Sequence, residues 1–269
     1  MTARVVVLGG GAWGTALAIH LATRSTVRAE VSLYMRDPAA VAATLANREN
    51  RRYLPQVAIP ANLAVTSTLD GRSADVVFVA TPTASLGDVR AMLARTRLRA
   101  PILTLSKGFV PAPDHAQGFV LPHQALAPGW PHAVGSVSGP TFAVEVAQGL
   151  PTALVVASLD DAVTRDVASL LRSDNLRAYT SGDLVGVELG GAVKNVFAIA
   201  AGASDGLGFG DNARAALVTR ALAESARLSH ALGGTHETLM GLAGLGDLVL
   251  TCTGNLSRNR RVGLALSRG

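Results

Sequence analysis

Only two of the 24 basic residues in this 269-residue chain are lysines, Lys107 and Lys194. Lys194 lies in the apolar stretch GGAVKNV (190–196). A desolvated lysine can lose its proton there, whereas an arginine would keep it. We predict that Lys194 is a general acid–base, with its pKa lowered by burial toward about 7–8. Asp247 is a lone acid in GLAGLGDLVLTC; it either caps a helix or pairs with a buried cation.

A glycine-rich turn, GGGAWG (9–14), directly follows one predicted strand and opens a predicted helix. In such a turn Gly9 allows the tight bend, Gly11 lets the backbone approach a pyrophosphate, and Gly14 lets the helix pack closely on the strand. The N–H groups of the helix N-terminus can bind phosphate oxygens. The motif therefore predicts a dinucleotide site.

The second predicted strand ends in YMRD, where an NAD site usually has an acid that binds the ribose. Arg36 comes first here, and an arginine suits the 2′-phosphate of NADP. The sequence therefore favours NADP (NADPH) over NAD, and the alternative is an exposed charge at a strand end. We predict that Asp37 is a helix N-cap and that Pro38 is the first helical residue.

A third cluster, SRNRR (257–261), is predicted to begin the last helix, with Ser257 as its N-cap. Three arginines in a first turn oppose the helix dipole, so a bound anion would remove the conflict. The arginine fork matches phosphate oxygens. A solvated basic helix start is the alternative.

Two further segments follow predicted strands, SKGF (106–109) and SGPTFAVEVAQG (138–149). Ligands of open α/β sheets bind at the carboxyl ends of the strands, so Lys107 and the Thr141 hydroxyl are expected on that edge. We expect Pro140 in the first turn of a helix. The six histidines show no metal-ligand spacing, and we predict no catalytic metal.

Composition excludes several classes of protein. The net charge is +5, but four arginines that follow Asp247 account for most of it. The rest of the chain is near charge balance, with no basic run and few aromatics, which argues against nucleic-acid binding. A single cysteine, Cys252 in an apolar run, indicates a buried side chain and a reducing compartment, hence the cytoplasm. The longest apolar stretch, 184–203, is interrupted by charges, so we predict no membrane span.

Short apolar strands alternate with helical patterns in the first part of the chain, which predicts a parallel sheet covered on both faces. The predicted strands are 4–9, 30–35, 74–80, 101–106, 133–138 and 152–158. After Ser181 nearly all segments have helical spacing. We therefore predict an α/β fold in two domains, a dinucleotide-binding domain (1–180) and a helical, substrate-binding domain (181–269).

The chain resembles a known family through GGGAWGTALA, NRENRRYLP, SKGF, SGPTFAVEVAQGLPTA, the long segment that contains VKNV, and GLAGLGDLVLTCTGNLSRNRR. The match covers nearly the whole chain in the right order. The family is that of bacterial NAD(P)-dependent glycerol-3-phosphate dehydrogenases. The resemblance implies reversible reduction of dihydroxyacetone phosphate to sn-glycerol 3-phosphate for glycerophospholipid synthesis. It also implies a Rossmann-like domain followed by a helical domain, commonly in a homodimer.

The resemblance also implies roles for individual residues. The general acid–base falls on Lys194, a second active-site lysine on Lys107, and the acid near the substrate on Asp247. Substrate and phosphate contacts, besides those three residues, fall on Gly139, Thr141, Ser257, Arg258 and Asn259. Cofactor contacts, besides the three glycines of the turn, fall on Ala12, Trp13, Arg36, Lys107, Ala143 and Arg258.

Two other functions stay open at the level of sequence. The family's pattern continues past the position of Gly269, so the helical domain is expected to be shortened at its C-terminus. A truncated nucleotide-binding protein without turnover is therefore one alternative. A related hydroxy-acid dehydrogenase is the other; such a site needs cations for a carboxylate but no arginine-rich phosphate pocket, so SRNRR argues against it.

Overall fold

The computed structural model describes residues 2–69 and 73–268. The chain divides into two compact units. The sheet unit comprises Met1–Val137 and Thr141–Gly182, and the helical unit comprises Ser138–Pro140 and Asp183–Gly269. Each unit is described by itself below.

Twelve strands lie in the described part of the chain: β1 (Ala3–Leu8), β2 (Ala29–Tyr34), β3 (Glu49–Asn50), β4 (Leu54–Ala58), β5 (Ala64–Thr66), β6 (Val76–Val79), β7 (Ile102–Thr104), β8 (Val110–Pro111), β9 (Phe119–Val120), β10 (Val134–Ser138), β11 (Thr152–Ser158) and β12 (Leu176–Ser181). Six α-helices accompany them: α1 (Ala12–Thr23), α2 (Pro38–Asn47), α3 (Leu86–Ala94), α4 (Pro122–Leu126), α5 (Ala143–Gln148) and α6 (Asp161–Leu171). Five more follow: α7 (Leu184–Gly206), α8 (Gly210–Ala231), α9 (His236–Met240), α10 (Asp247–Thr253) and α11 (Arg258–Leu266).

The main sheet has eight strands in the order β12-β11-β10-β7-β6-β1-β2-β5. β1 is parallel to both of its neighbours, and Val7 pairs with Leu33 of β2 and with Phe78 of β6. Successive β1 side chains pack into two separate hydrophobic clusters, one on each face of the sheet: Val5 and Val7 belong to one cluster, and Val6 and Leu8 belong to the other. A strand buried on both faces needs an unbroken apolar run, which VVVL (5–8) supplies. The predicted α/β fold with a mostly parallel sheet is confirmed.

Two details of the sheet unit differ from the sequence-based prediction. Pro140 does not lie in a helical turn, because α5 begins only at Ala143 with Phe142 as its N-cap. The two edge strands β5 and β12 and the hairpins β3–β4 and β8–β9 were not predicted. These strands are short or half exposed, so their side chains show no clear apolar period.

The helical unit is built around α7. By length and composition α7 is the one helix in the described residues that could cross a membrane, with a mean hydropathy of 1.5. It packs against α8, α10 and α11 and carries the buried charges Glu188 and Lys194. Packing within the unit therefore accounts for its apolar composition. Cys252 belongs to the small core beside α7, and burial raises the pKa of its thiol to about 11.

A buried histidine gives the sheet unit a pH-dependent stability. His20 in α1 is 2% exposed, and its Nε2 lies 2.7 Å from the Leu171 carbonyl. Burial lowers the pKa of His20, because the imidazolium would lose its hydration. The unfolded chain therefore binds this proton more readily than the folded chain. The stability that the neutral ring contributes is present above about pH 6.5, the ordinary histidine value, and decreases as the pH falls below it.

We expect His20→Gln to unfold with a weaker dependence on pH. The glutamine amide can still donate to the Leu171 carbonyl but does not titrate. The melting temperature of both proteins should be measured between pH 7.5 and 5.5, and the difference between them should shrink toward acid pH. Parallel curves would show that His20 is not the titrating group.

Candidate active site

The glycine-rich turn separates two steric roles. Gly9 has a φ of +114°, and a Cβ added there would lie 2.8 Å from the Ala80 carbonyl oxygen. A Cβ on Gly14 would lie 2.0 Å from the Gly9 carbonyl oxygen. At Gly11 an added Cβ would meet nothing within 4 Å. The first and third glycines therefore close the turn on the sheet, and the second faces open space at the start of α1.

The hairpin β3–β4 is attached to this turn through one buried amide. Asn50 is 3% exposed, and its Nδ2 donates to the Gly10 carbonyl and to the Thr15 hydroxyl, both at 2.8 Å. These two bonds hold the Gly10 carbonyl in place and so restrict the orientation of the peptide groups in the turn, including their N–H groups. The segment NRENRRYLP, which carried no assigned role in the sequence, thus contains a support for the turn.

The residues that begin α1 fit a phosphate-bearing cofactor. α1 starts at Ala12 with Gly11 as its N-cap, and its first turn contains no acid. The Trp13 indole N–H is buried and has no hydrogen-bond partner among the described residues. A donor in that state is costly unless a ligand satisfies it. The helix N-terminus, open space at Gly11 and an unpaired donor together suit a pyrophosphate.

Arg36 follows β2 and is exposed. It makes no hydrogen bond or ion pair with the described residues. Asp37 accepts a hydrogen bond from the Ala39 N–H at 2.9 Å, and Pro38 is the first residue of α2. The predicted N-cap is therefore confirmed, and the Asp37 carboxylate is committed to α2. Arg36 is left as the cation available at this strand end.

The loops after β6 and β7 are tied together at the carboxyl ends of their strands. The Ser106 hydroxyl donates to the Thr81 carbonyl at 2.5 Å, one residue before the half-buried Lys107. Thr141 follows β10, and Ala143 begins α5. The sheet unit thus carries Lys107, Thr141 and Ala143 after strands whose carboxyl ends lie on one edge.

In the helical unit Lys194 and Asp247 form a buried ion pair. The Lys194 Nζ donates to the Asp247 Oδ1 at 2.6 Å, and the two side chains are 11% and 1% exposed. Nζ also donates to the Thr251 hydroxyl at 3.1 Å, and that hydroxyl donates to the Asp247 carbonyl at 2.6 Å. The amine is therefore fixed in direction, with its charge compensated.

Glycine and a π-helical turn bring Asp247 to α7. Leu242–Gly246 form a π-helix directly before Asp247. A Cβ on Gly190, one turn before Lys194, would lie 2.5 Å from the Ala243 carbonyl oxygen. Only a glycine lets the two backbones approach this closely. π-turns are frequent at functional sites, and here the turn precedes the acid of the ion pair.

The first turn of α11 lies next to the same part of α7. Ser257 caps α11 by accepting the Arg260 N–H at 3.2 Å, as predicted. The Asn259 Nδ2 donates to the Asn195 Oδ1 at 2.7 Å, so a residue adjacent to Lys194 holds a residue adjacent to Arg258. Arg258 is exposed and makes no side-chain bond within the described residues.

The turn that contains Gly139 belongs to the helical unit. Gly139 has a φ of +143°, and a Cβ on Gly246 would lie 3.7 Å from Pro140. The turn therefore lies beside the start of α10, near Asp247. The helical unit thus brings together Gly139, Lys194, Asp247 and the first turn of α11, whereas the turn glycines, Arg36, Lys107, Thr141 and Ala143 lie in the sheet unit.

Sequence reasoning missed two of the supporting residues. Thr251 lies four residues after Asp247 on one helix face, and this spacing is the signal that could have revealed it. Asn195 is the second polar residue of GGAVKNV, and nothing in its sequence context indicates a role. Both were overlooked because each bonds a site residue or its neighbour more than fifty residues away in the sequence.

A parallel sheet with a glycine turn for a dinucleotide, together with a helical unit that holds a buried lysine–carboxylate pair, defines the class of NAD(P)-dependent dehydrogenases. Two family models match the chain, the N-terminus of NAD-dependent glycerol-3-phosphate dehydrogenase over residues 4–164 and its C-terminus over residues 183–269. The chain belongs to the NAD-dependent glycerol-3-phosphate dehydrogenase family.

Individual relatives agree with this assignment. A glycerol-3-phosphate dehydrogenase [NAD(P)+] of Methylibium petroleiphilum is 52% identical over 99% of this chain and 79% of its own length. The corresponding protein of Nitrosospira multiformis is 47% identical over 99% of this chain and 80% of its own. The crystal structure of glycerol-3-phosphate dehydrogenase from Coxiella burnetii is 39% identical, with a TM-score of 0.90 over 100% of this chain and 81% of that one.

The two steric roles in the glycine turn can be separated by mutation. Gly11→Ala should keep the melting temperature, because Gly11 has an extended backbone and its Cβ meets open space. It should weaken NADPH binding by at least about tenfold, or about 1.4 kcal/mol, because the methyl group lies where the cofactor approaches. Gly14→Ala should instead destabilise the fold by about 1–3 kcal/mol through overpacking.

Thermal unfolding and fluorescence titration with NADPH would measure both effects. If the Gly11→Ala protein binds NADPH as tightly as the wild type, the cofactor does not bind at this turn. A Gly14→Ala protein as stable as the wild type would contradict the close packing described above.

Proposed function

We propose that this chain catalyses the NAD(P)H-dependent, reversible reduction of dihydroxyacetone phosphate to sn-glycerol 3-phosphate. The proposal rests on the buried Lys194–Asp247 pair. This pair orients an amine on α7, and the first turn of α11, which is rich in arginine, is hydrogen-bonded to the same helix. The names of the relatives support the substrate and the cofactor. Family membership further supports a role in glycerophospholipid synthesis, a cytoplasmic location and a homodimer.

The sheet unit is assigned the cofactor and the helical unit the substrate. Gly9, Gly11, Ala12, Trp13 and Gly14 would hold the pyrophosphate, and Arg36 would bind the 2′-phosphate of NADPH. Further cofactor contacts would come from Lys107, Ala143 and Arg258. The substrate phosphate is assigned to Ser257, Arg258 and Asn259, and the rest of the substrate to Gly139, Thr141, Lys107, Lys194 and Asp247.

The chemistry requires a proton and a hydride. When bound, NADPH supplies the hydride that reaches the carbonyl carbon. Negative charge then develops on the carbonyl oxygen, and Lys194 donates a proton from Nζ to that oxygen. Asp247 and Thr251 hold Nζ in place, and Asp247 compensates the charge of the ammonium form. In the reverse reaction the neutral amine takes the proton from the hydroxyl.

Oxidation of NADPH by dihydroxyacetone phosphate, followed at 340 nm, is the assay that tests the proposal. Turnover excludes a nucleotide-binding protein without activity. A matched assay with 2-oxo acids distinguishes the proposed enzyme from a hydroxy-acid dehydrogenase, which would reduce those compounds instead. NADPH binding without turnover of any of these substrates would contradict the proposed function.

Arg36→Ala should raise the KM for NADPH and leave the KM for NADH nearly unchanged. Loss of one charge-assisted hydrogen bond at an exposed site corresponds to roughly a tenfold increase. Initial rates with both cofactors give the comparison, and the neighbouring Asp37, committed to the cap of α2, keeps the loop in place. Equal losses with both cofactors would contradict a role in binding the 2′-phosphate.

Lys194→Arg should lower kcat by about 10²–10⁴, the range expected for loss of general acid–base catalysis. Arginine keeps the charge and approximately the length of lysine but does not release its proton. The kcat of wild type and variant should be measured between pH 6 and 10, with NADPH affinity as the control for folding. A Lys194→Arg enzyme within threefold of the wild type would show that only a fixed positive charge is needed.

A second variant covers the case in which arginine does not fit beside Asp247. Lys194→Ala should regain activity when small primary amines are added, because an amine can take over the proton transfer. Guanidinium at the same concentration should give no recovery. Equal recovery with both cations would again indicate a fixed charge.

A further inference from the structure

Asp205, near the end of α7, binds two arginines. Its Oδ2 accepts from the Arg260 Nε at 2.9 Å and from the Arg260 Nη2 at 2.7 Å. Its Oδ1 accepts from the Arg214 Nη1 at 2.8 Å. The Asp205 carboxylate is 9% exposed and the Arg260 side chain 14%. Arg260 is therefore largely removed from solvent and bound by a carboxylate in a two-bond geometry.

The neighbouring backbones leave little freedom between α7 and α11. A Cβ on Gly202 would lie 2.0 Å from the Arg260 carbonyl oxygen, and a Cβ on Gly263 would lie 2.0 Å from the Ile199 carbonyl oxygen. Contacts this close fix the distance between the helices. They also require Gly263 to face α7, but glycine offers no side chain to interlock, so the finer rotation of α11 about its own axis depends on other contacts.

Two polar links define that rotation. Asn259 is bound to Asn195, and Arg260 is bound to Asp205. The two partners are ten residues apart on α7, about 15 Å along the helix. Successive helix residues are rotated by about 100°, so Arg258 points about 200° away from Arg260. When the directions of residues 259 and 260 are fixed, the direction of Arg258 is fixed as well.

We propose that Asp205 and Arg260 form a positioning pair that aims Arg258 at the substrate phosphate. This inference rests on the proposed function and adds two residues to it. The three arginines of SRNRR then differ in role. Arg258 is exposed and without a protein partner, Arg260 is the anchor, and Arg261 is exposed with no side-chain hydrogen bond or ion pair to the described residues.

The Asp205–Arg260 pair also reduces the unfavourable electrostatic interactions at the N-terminus of α11. α11 has no acid in its first turn, so its arginines repel one another and oppose the dipole. Asp205 brings the missing carboxylate from another helix and neutralises Arg260. The cation that remains closest to the helix N-terminus is Arg258, which has no competing carboxylate bonded to it.

The test compares Arg260→Gln with Arg261→Gln, which removes the same charge from the same turn, and with Arg258→Ala. The ratio of kcat/KM for dihydroxyacetone phosphate to kcat/KM for dihydroxyacetone is the readout, because only the first substrate carries the phosphate. Arg260→Gln should lower this ratio by about 10- to 100-fold, as a misdirected contact does. Arg261→Gln should stay within about twofold of the wild type.

Arg260→Lys and Asp205→Glu serve as conservative variants in case Arg260→Gln does not fold. A lysine keeps the ion pair but loses the two-bond geometry, so an intermediate ratio is expected. If Arg260→Gln or Arg260→Lys lowers kcat/KM equally for both substrates, the pair is only structural and the proposal is overturned. A ratio unchanged in both variants would overturn it too, as would an equal effect of Arg261→Gln.

Failure of the proposed function can be recognised separately. The wild-type assay with dihydroxyacetone phosphate decides that question alone. Calorimetric titration with glycerol 3-phosphate and with inorganic phosphate, on the same variants, does not require turnover. If the positioning role is right, Arg260→Gln weakens glycerol 3-phosphate binding about as much as Arg258→Ala does, whereas Arg261→Gln leaves it unchanged. Unchanged glycerol 3-phosphate affinity in Arg260→Gln would overturn the role.

Discussion

The 2.6 Å ion pair between Lys194 and Asp247 is the constraint on which the helical unit depends. Two charges this deeply buried are costly to remove from water, and loss of one partner costs about 3–5 kcal/mol. The pair must therefore be held in a geometry that satisfies both groups, and Thr251 completes it. A π-turn before the acid and Gly190 on the opposite helix bring the two side chains together. An arrangement that costs this much to build is consistent with use of the amine in chemistry.

The same helix positions the turn to which the substrate phosphate is assigned. α7 carries Lys194, then Asn195, and ten residues later Asp205, so the proposed proton donor and both anchors of α11 belong to one rigid element. Glycines at 202 and 263 let α11 lie directly on α7. The distance between the proposed acid–base and the proposed phosphate ligand thus depends on backbone contact rather than on flexible side chains. Rigid placement of this kind is what allows an oriented amine and an oriented arginine to act on one small substrate.

The sheet unit has a different constraint, because the proposed cofactor site requires the backbone of a turn to approach a charged group. Gly9 and Gly14 close the turn, Asn50 fixes its carbonyl side, and Gly11 leaves space. Because the first turn of α1 contains no acid, its N–H groups and the unpaired indole of Trp13 face no competing anion within that turn. Arg36 adds the charge that would distinguish NADPH from NADH. Selectivity and affinity are therefore assigned to separate groups.

The sequence by itself determined what depends on neighbours along the chain. The bounds of α1, the caps Asp37 and Ser257, and the alternating burial of β1 follow from local sterics and local hydrogen bonds. The seven residues GGAVKNV likewise sufficed to predict that the Lys194 amine lies in an apolar helix. The sequence left two possibilities for Asp247, and it could not distinguish the paired arginine of SRNRR, Arg260, from the exposed Arg258 and Arg261. Only the tertiary structure decided these, because a charged side chain can pair with any opposite charge that packing brings near. Asp247 lies 53 residues from Lys194 and Asp205 lies 55 residues from Arg260, so the path of the backbone between them selects the partner.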